Sequence, residues 1–313
     1  MALVQDVSAS TRSYGDREFC IFGFDRSAKD RFIAPLSGLK LSKVQGYGNL
    51  EIANLSKTGI GIVPLHIGYI QDGAQNHALC RSAFLAPGQK LMFEDACCVQ
   101  AAQGGYLVEK EQWFFILPLQ LRAEALILRG QKSYSKLWDA ISRLNAEYGL
   151  ANRGHLEQII SRKRGFLTQY QNRLELLPQQ TGAIFFFGDR LVGLEIAPTA
   201  AYFKELWMPL VCFCYGVAAM HRERAIDLKA TSPTPFKAKN LKELREQLQQ
   251  SRIEKHKQVI NWLAQIPPER FVLVEEEKFL DLQLKTLIGS NLAGQFVEEK
   301  GDLIYASLFA KNF

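Results

Sequence analysis

The sequence predicts an α+β protein: an N-terminal antiparallel β-sandwich or partial barrel, then a helix-rich half with β-hairpins. Three observations carry this. Short apolar runs from Leu39 to about Ile127 are separated by turn residues such as Gly46-Tyr47-Gly48, Lys57-Thr58-Gly59 and Ala86-Pro87-Gly88, the spacing of an antiparallel sheet rather than a parallel one. Leu137, Ile141, Leu144 and Tyr148 then fall at i, i+4, i+7 and i+11, one apolar stripe of a helix. Beyond Pro267-Pro268 the pattern returns to strands. The expected division is a β-rich domain over 1–130 and an α+β domain over 131–313, closely packed on the first.

In order, residues 1 to about 38 offer one apolar run, CIFGF. The strands expected next are LKLSKV, NLEIANL, GIGIVPLHIGYI, SAFLA, KLMFEDACCVQAA and WFFILPLQL. Ser133 or Ser135 can cap the first helix, and Gly149 suits its left-handed C-terminal position. A second helix is expected over about 154–170, with Leu156, Ile159, Ile160 and Leu167 inward and Arg162-Lys163-Arg164 outward. GAIFFFGDRLVGLEIA reads as a hairpin about Gly188-Asp189. An apolar helix over about 199–222 carries Pro209 inside it, where a kink or break is expected. Thr231–Phe236 is the most linker-like segment. Asn240 and Glu243 then form a capping-box pattern for a helix ending near Gln265. The last two strands read as a hairpin around Lys300-Gly301.

Apolar residues make up 47% and charged residues 22% of the 313, values of a chain able to bury a core. The uninterrupted apolar run Leu206–Met220 is shorter than the roughly 20 residues of a membrane helix. With no basic-then-apolar leader, a cytoplasmic location and no membrane partner are expected. Six cysteines are then read as buried thiols rather than disulfides. The missing Cys-x-x-Cys and His-x₃₋₅-His spacings speak against a metal. No phosphate loop, dinucleotide fingerprint, G-x-S-x-G or H-E-x-x-H occurs, so no cofactor is named.

The net charge of +6 is uneven. Residues 222–257 hold ten Lys/Arg against five Asp/Glu, and 271–302 hold seven Asp/Glu against three Lys. Few aromatics interleave with the basic residues, which favours solvated helix faces over a nucleic-acid surface. A homo-oligomer in which the two faces meet stays open.

The candidate site lies in Pro64–Tyr106. Gln75, Asn76 and His77 supply amides and an imidazole that titrates near neutrality, and Cys97 or Cys98 a thiol across the sheet. As alternating strand positions, Gln75 and His77 would share a face, whereas Cys97 and Cys98 would face opposite ways. Three readings stand open: a protein binding a small polar or nucleotide/ADP-ribose-derived ligand through Gln75, Asn76, His77, Cys97 and Cys98; a hydrolase or transferase using a Cys/His site; and an interaction protein docking RNA or an acidic partner through its basic helices.

QNHALCRSAFLAPGQ followed by ACCVQ resembles a bacterial and archaeal domain family of unknown function, one named for its association with ADP-ribosylglycohydrolase and rhodanese-phosphatase proteins. SKLWDAISRLNAEYG, QQTGAIFFFGDRLVGLEIA and the terminal hairpin ending in LIYASLF continue the likeness over roughly Leu39 to Phe309. His77 stands where the family pattern has Arg, Gln100 where it has Glu, and Gly104-Gly105 where it has Arg-Trp. Tyr69 and Ile70 stand near the place of its acidic pair. The resemblance implies a link to ADP-ribose or NAD-related metabolism by genomic company, with altered or absent chemistry where Arg and Glu are replaced.

Overall fold

The computed structural model describes residues 8–14, 17–23, 31–71, 75–101, 112–187, 190–225, 237–264 and 271–312. A first hairpin, β1 (Ser8–Tyr14) and β2 (Arg17–Gly23), is followed by a one-turn helix α1 (Pro35–Gly38). Glu205 accepts from the Leu36 and Ser37 amides at 2.6 and 3.2 Å, serving the amides that a helix start leaves without intrahelical partners.

Strands β3 (Leu39–Val44), β4 (Leu50–Asn54), β5 (Gly61–Ile62), β6 (Ile67–Gln71), β7 (His77–Ala78), β8 (Phe84–Leu85), β9 (Lys90–Phe93), β10 (Cys97–Cys98) and β11 (Gln112–Ile116) follow. They form three small antiparallel sheets, ordered β10-β7-β6-β11, β3-β4-β9 and β5-β8. The α+β class holds, and among the described residues these strands do not close into a barrel. A register shift between Leu41 and Lys43 explains why β3 buries Leu39, Leu41 and then Val44, out of strict alternation.

The run WFFILPLQL is part strand and part helix. Pro118 is the N-cap of α2 (Leu119–Ile127), which buries Leu119, Leu121, Ala125 and Leu126. Because Phe114–Leu119 is apolar nearly throughout, its sequence does not show where the twofold period ends. Helix α3 (Trp138–Glu147) carries the expected stripe, with Leu137, Ile141, Leu144 and Tyr148 all buried. Each such side chain contributes about 1.5–3 kcal/mol when fully buried. Gly149 takes φ 67°, as expected of its position. Neither Ser133 nor Ser135 caps this helix; Leu137 is the N-cap, with no side-chain bond. The second predicted helix divides at Lys163 into α4 (Glu157–Arg162) and α5 (Arg164–Arg173), with its predicted inward residues buried.

Strands β12 (Gly182–Phe187) and β13 (Arg190–Ile196) pair as the expected hairpin, whose Gly188-Asp189 turn lies outside the described residues. Thr199 caps α6 (Ala200–Met208) by accepting from the Tyr202 amide at 3.1 Å. Pro209 has no N–H for the regular ladder. The helix widens into a π segment, Pro209–Cys214, and resumes as α7 (Tyr215–Ala225) without a break. Ala200–Arg222 is thus long and apolar enough to cross a membrane, yet 83% of its most apolar window is buried inside the fold. The Asn240 cap of α8 (Leu241–Ala264) forms as the sequence predicts: Asn240 Oδ1 accepts from the Glu243 amide at 2.9 Å, and Glu243 accepts from the Lys239 amide at 2.8 Å. The linker Thr231–Phe236 and the stop at Pro267-Pro268 lie outside the described residues.

Strands β14 (Val272–Phe279), β15 (Leu282–Ile288), β16 (Leu292–Glu299) and β17 (Asp302–Ala310) complete an eight-stranded antiparallel sheet ordered β1-β2-β12-β13-β17-β16-β15-β14. Lys300 and Gly301 have φ 51° and 89°, the left-handed pair a two-residue hairpin turn requires. Residues from both sides of position 130 enter this sheet, and one buried apolar cluster runs from Phe32 to Phe309.

Candidate functional site

The register places Cys98 opposite His77 and Cys97 opposite Ala78, so strands β7 and β10 bring the predicted residues together. All are buried: Gln75, Asn76, His77, Cys97 and Cys98. The expectation that one cysteine faces outward is not met, since both sides of β10 are covered. Gln75 precedes β7 rather than alternating within it, and its carbonyl lies 3.0 Å from His77 Nδ1. The Gly48 amide makes a long 3.5 Å contact with His77 Nε2. Both ring nitrogens are therefore taken by backbone groups. Burial lowers the His77 pKa to about 4, with the Gln75 carbonyl opposing the shift.

Beside it, Gln100 Oε1 accepts from the Asn76 amide at 3.1 Å, and Trp138 Nε1 donates to the Cys98 carbonyl at 3.0 Å. The Cys98 thiol donates to the Gln100 carbonyl at 3.4 Å, and burial raises its pKa. Cys80 Sγ lies 3.8 Å from Cys97 Sγ, and Cys97 Sγ lies 3.3 Å from the Ala78 carbonyl. The Cys97 hydrogen bond holds Cys80 below the ordinary thiol range, with the Lys136 ammonium assisting; the same bond pushes Cys97 well above it. Cys80, Cys97, Cys98, Cys212 and Cys214 are all free and buried, as expected. Among the described residues no group of three or more His, Cys, Asp or Glu is placed to hold a metal.

Arg81 carries this region to the surface. Its guanidinium lies 3.3 Å from Asp95 and 4.9 Å from the Phe93 ring centre. With Leu91, Glu276 and Glu277 it lines a cleft of about 360 Å³, at the small end of ligand sites. Glu277 accepts from the Phe84 amide at 3.2 Å, and burial raises its pKa. Glu276 pairs with Arg129 at 2.8 Å. Among the lining residues one guanidinium, Arg81, stands against two carboxyl groups, Glu276 and Glu277, an excess of negative charge.

The most concentrated buried polar centre was not visible in the sequence. Arg122, on α2, is fully buried. It donates to Glu195 at 2.7 Å, Ser307 at 2.5 Å and His66 Nδ1 at 3.2 Å, and its guanidinium lies 4.3 Å from the Phe309 ring centre. Tyr215 and Ser307 also donate to Glu195, at 2.7 and 2.6 Å. Every carboxylate and guanidinium partner is thereby supplied from within the core, as a buried ion pair requires. Its members come from positions 66 to 309, and no local spacing announces them.

The charge asymmetry resolves in part. Acidic residues of the C-terminal strands pair with bases elsewhere in the chain, Glu299 with Arg31 and Glu276 with Arg129. Lys285 pairs with Glu298 across β15 and β16 at 2.6 Å.

Comparison with known families finds the ARG and Rhodanese-Phosphatase-superfamily-associated Protein domain, ARPP-1, whose profile matches residues 24–309. The chain belongs to this family. No curated protein and no solved structure matches it.

Proposed function

We propose that this ARPP-1 family member binds a small polar ligand in the Arg81 cleft and recognises it through hydroxyl or amino donors. The carrying observation is the carboxyl excess beside Arg81. Glu277 is anchored by the Phe84 amide and Glu276 by Arg129, so both acceptors are pre-positioned. A polyanion brought to this cleft meets like charge, which costs affinity. A ribose diol meets acceptors. This narrows an ADP-ribose-derived ligand to recognition through its sugar rather than its pyrophosphate. In this reading Gln75, Asn76, His77, Cys97 and Cys98 are the packed wall that holds Arg81 in place, since Cys80 joins Arg81 directly to the Cys97 contact.

Titration calorimetry of the protein against ribose, ADP-ribose, NAD, a small diamine and inorganic pyrophosphate tests this. Binding of a sugar or amine that weakens about tenfold in Glu277→Gln, the worth of one charge-assisted hydrogen bond, is the expected result. Binding of pyrophosphate alone, or affinity untouched in Glu277→Gln, would overturn it.

A further inference from the structure

We propose that Cys80 and Cys97 form a redox-active dithiol that a hydroperoxide oxidises to an intramolecular disulfide. The argument starts from position. Cys97 is fixed in β10, opposite Ala78, whereas Cys80 lies in the connection between β7 and β8. One sulfur is held by a ladder, and the other belongs to a connecting residue buried in the core. At 3.8 Å the two are in van der Waals contact, and a disulfide requires them to close to ~2.05 Å.

The neighbours favour reaction at Cys80. The Lys136 ammonium is held on the Asp95, Leu128 and Gln131 carbonyls at 2.6, 3.1 and 2.7 Å. From there it acts as a fixed positive charge on Cys80 and Cys97 alike, and at Cys80 the Cys97 hydrogen bond and this charge outweigh burial and the Asp95 carboxylate. A nearby cation is one feature that lowers a thiol's pKa and raises its thiolate fraction. Cys80 is itself buried, and Arg81, the next residue, has a side chain 29% exposed. Three further cysteines are placed differently. Cys98 is turned to the Gln100 backbone, Cys212 has its pKa raised to about 11 by burial, and Cys214 lies 3.7 Å from Arg122 in the core.

The chemistry balances in two steps. The Cys80 thiolate attacks one peroxide oxygen; the O–O bond breaks, Cys80 becomes a sulfenic acid and the departing hydroxide or alkoxide takes a proton as water or alcohol. The Cys97 sulfur then attacks the sulfenyl sulfur, the S–S bond forms, and the S–O bond breaks to release hydroxide, which takes the Cys97 proton as water. Two thiols lose two electrons and two protons in total, and the hydroperoxide accepts both pairs. Packing of two thiols as small apolar groups explains their burial, but does not call for an ammonium whose charge reaches both.

The test is exposure of the folded protein to hydrogen peroxide, an acid quench, alkylation and peptide mapping. A Cys80–Cys97 linked peptide, about 2 Da lighter than the sum of its thiol forms and restored by dithiothreitol, is expected. It should form at least about tenfold faster than oxidation at Cys98, Cys212 or Cys214. Cys98→Ser should keep the link; Cys80→Ser and Cys97→Ser should abolish it, with melting curves establishing that each is folded. Should either of those two fail to fold, the wild type and Cys98→Ser decide the matter alone. Oxidation to sulfinic acid without the linked peptide, or a link formed no faster than the other cysteines react, would overturn the proposal. Its failure leaves the Glu277 prediction untouched.

Discussion

Arg122 Nε donates to His66 Nδ1 at 3.2 Å, and this bond decides the protonation state of a buried imidazole. An Nδ1 that accepts leaves the proton on Nε2, so His66 is held neutral against a guanidinium. A second proton would place two cations in contact in the core. Burial and then Arg122 lower its pKa well below the ordinary value, and the backbone at Cys80 opposes this only in part. His66 also stands at φ 63°, a left-handed conformation that costs a non-glycine residue about 1 kcal/mol or more. Its Nε2 has no hydrogen-bond partner among the described residues.

Acid should therefore unfold the protein early. Unfolded, each histidine takes up a proton near pH 6.5; folded, His77 does so only at about 4, and His66 is also lowered. Across this window the unfolded state binds more protons. Stability is full above about pH 6.5 and is lost as pH falls toward 4, by about 1.4 kcal/mol per pH unit for each histidine. Urea midpoints at pH 7, 6 and 5 measure the slope, which His77→Gln should reduce by one proton's share. A flat midpoint over this range would refute the assignment.

Removing one half of the buried pair should be severe. Arg122→Met leaves Glu195 buried without its countercharge, with an expected loss of about 3–5 kcal/mol. Arg122→Met with Glu195→Gln should lose less than the two single variants summed, because the stranded charge is gone. Denaturant titration of all three reads the coupling, and strict additivity would show that the pair does not act as a unit.

Two glycines should respond to alanine in opposite directions. A Cβ on Gly193 would come within 2.0 Å of the Tyr215 hydroxyl, which is itself engaged by Glu195. Gly193→Ala should cost about 1–3 kcal/mol through overpacking. Gly165, in α5, has no atom within 4 Å of that position. Gly165→Ala should add about 0.5–1 kcal/mol from helix propensity alone. Thermal melts with like-signed shifts for the two variants would contradict this.

The cap on α8 can be tested locally. Asn240→Ala removes the acceptor for the Glu243 amide, at an expected cost of about 1 kcal/mol. Hydrogen exchange should quicken in the first turn of α8 while β16 and β17 keep their protection. Unchanged exchange at Glu243 would count against the cap.

What the sequence reveals follows range of interaction. The α3 stripe, the Asn240–Glu243 cap and the Lys300-Gly301 turn each depend on residues within one or two turns of chain, and each forms as read. The start of α2 at Leu119 is hidden because Pro118 alone marks the change of period inside an apolar run. The proximity of Gln75–His77 to Cys97-Cys98 was legible as two polar strand ends. Their complete burial was not, because it depends on neighbours such as Gly48, Tyr134 and Trp138 that are distant in sequence. The Arg122 centre is invisible for the same reason: Arg122 sits between Gln120 and Glu124, and nothing local marks it as the buried one.

The placement of β17 sets a timetable for folding. It is the last described strand, yet it sits between β13 and β16 in the long sheet, with Ser307 opposite Glu195, 112 positions earlier. During synthesis the β12–β13 hairpin must keep an open edge while the helices and three further strands emerge. Unpaired edges recruit other chains, and late, distant pairing slows folding. A ribosome-bound intermediate lacking β17 is thus the form of this protein most exposed to aggregation, and the one on which a chaperone would have the longest time to act.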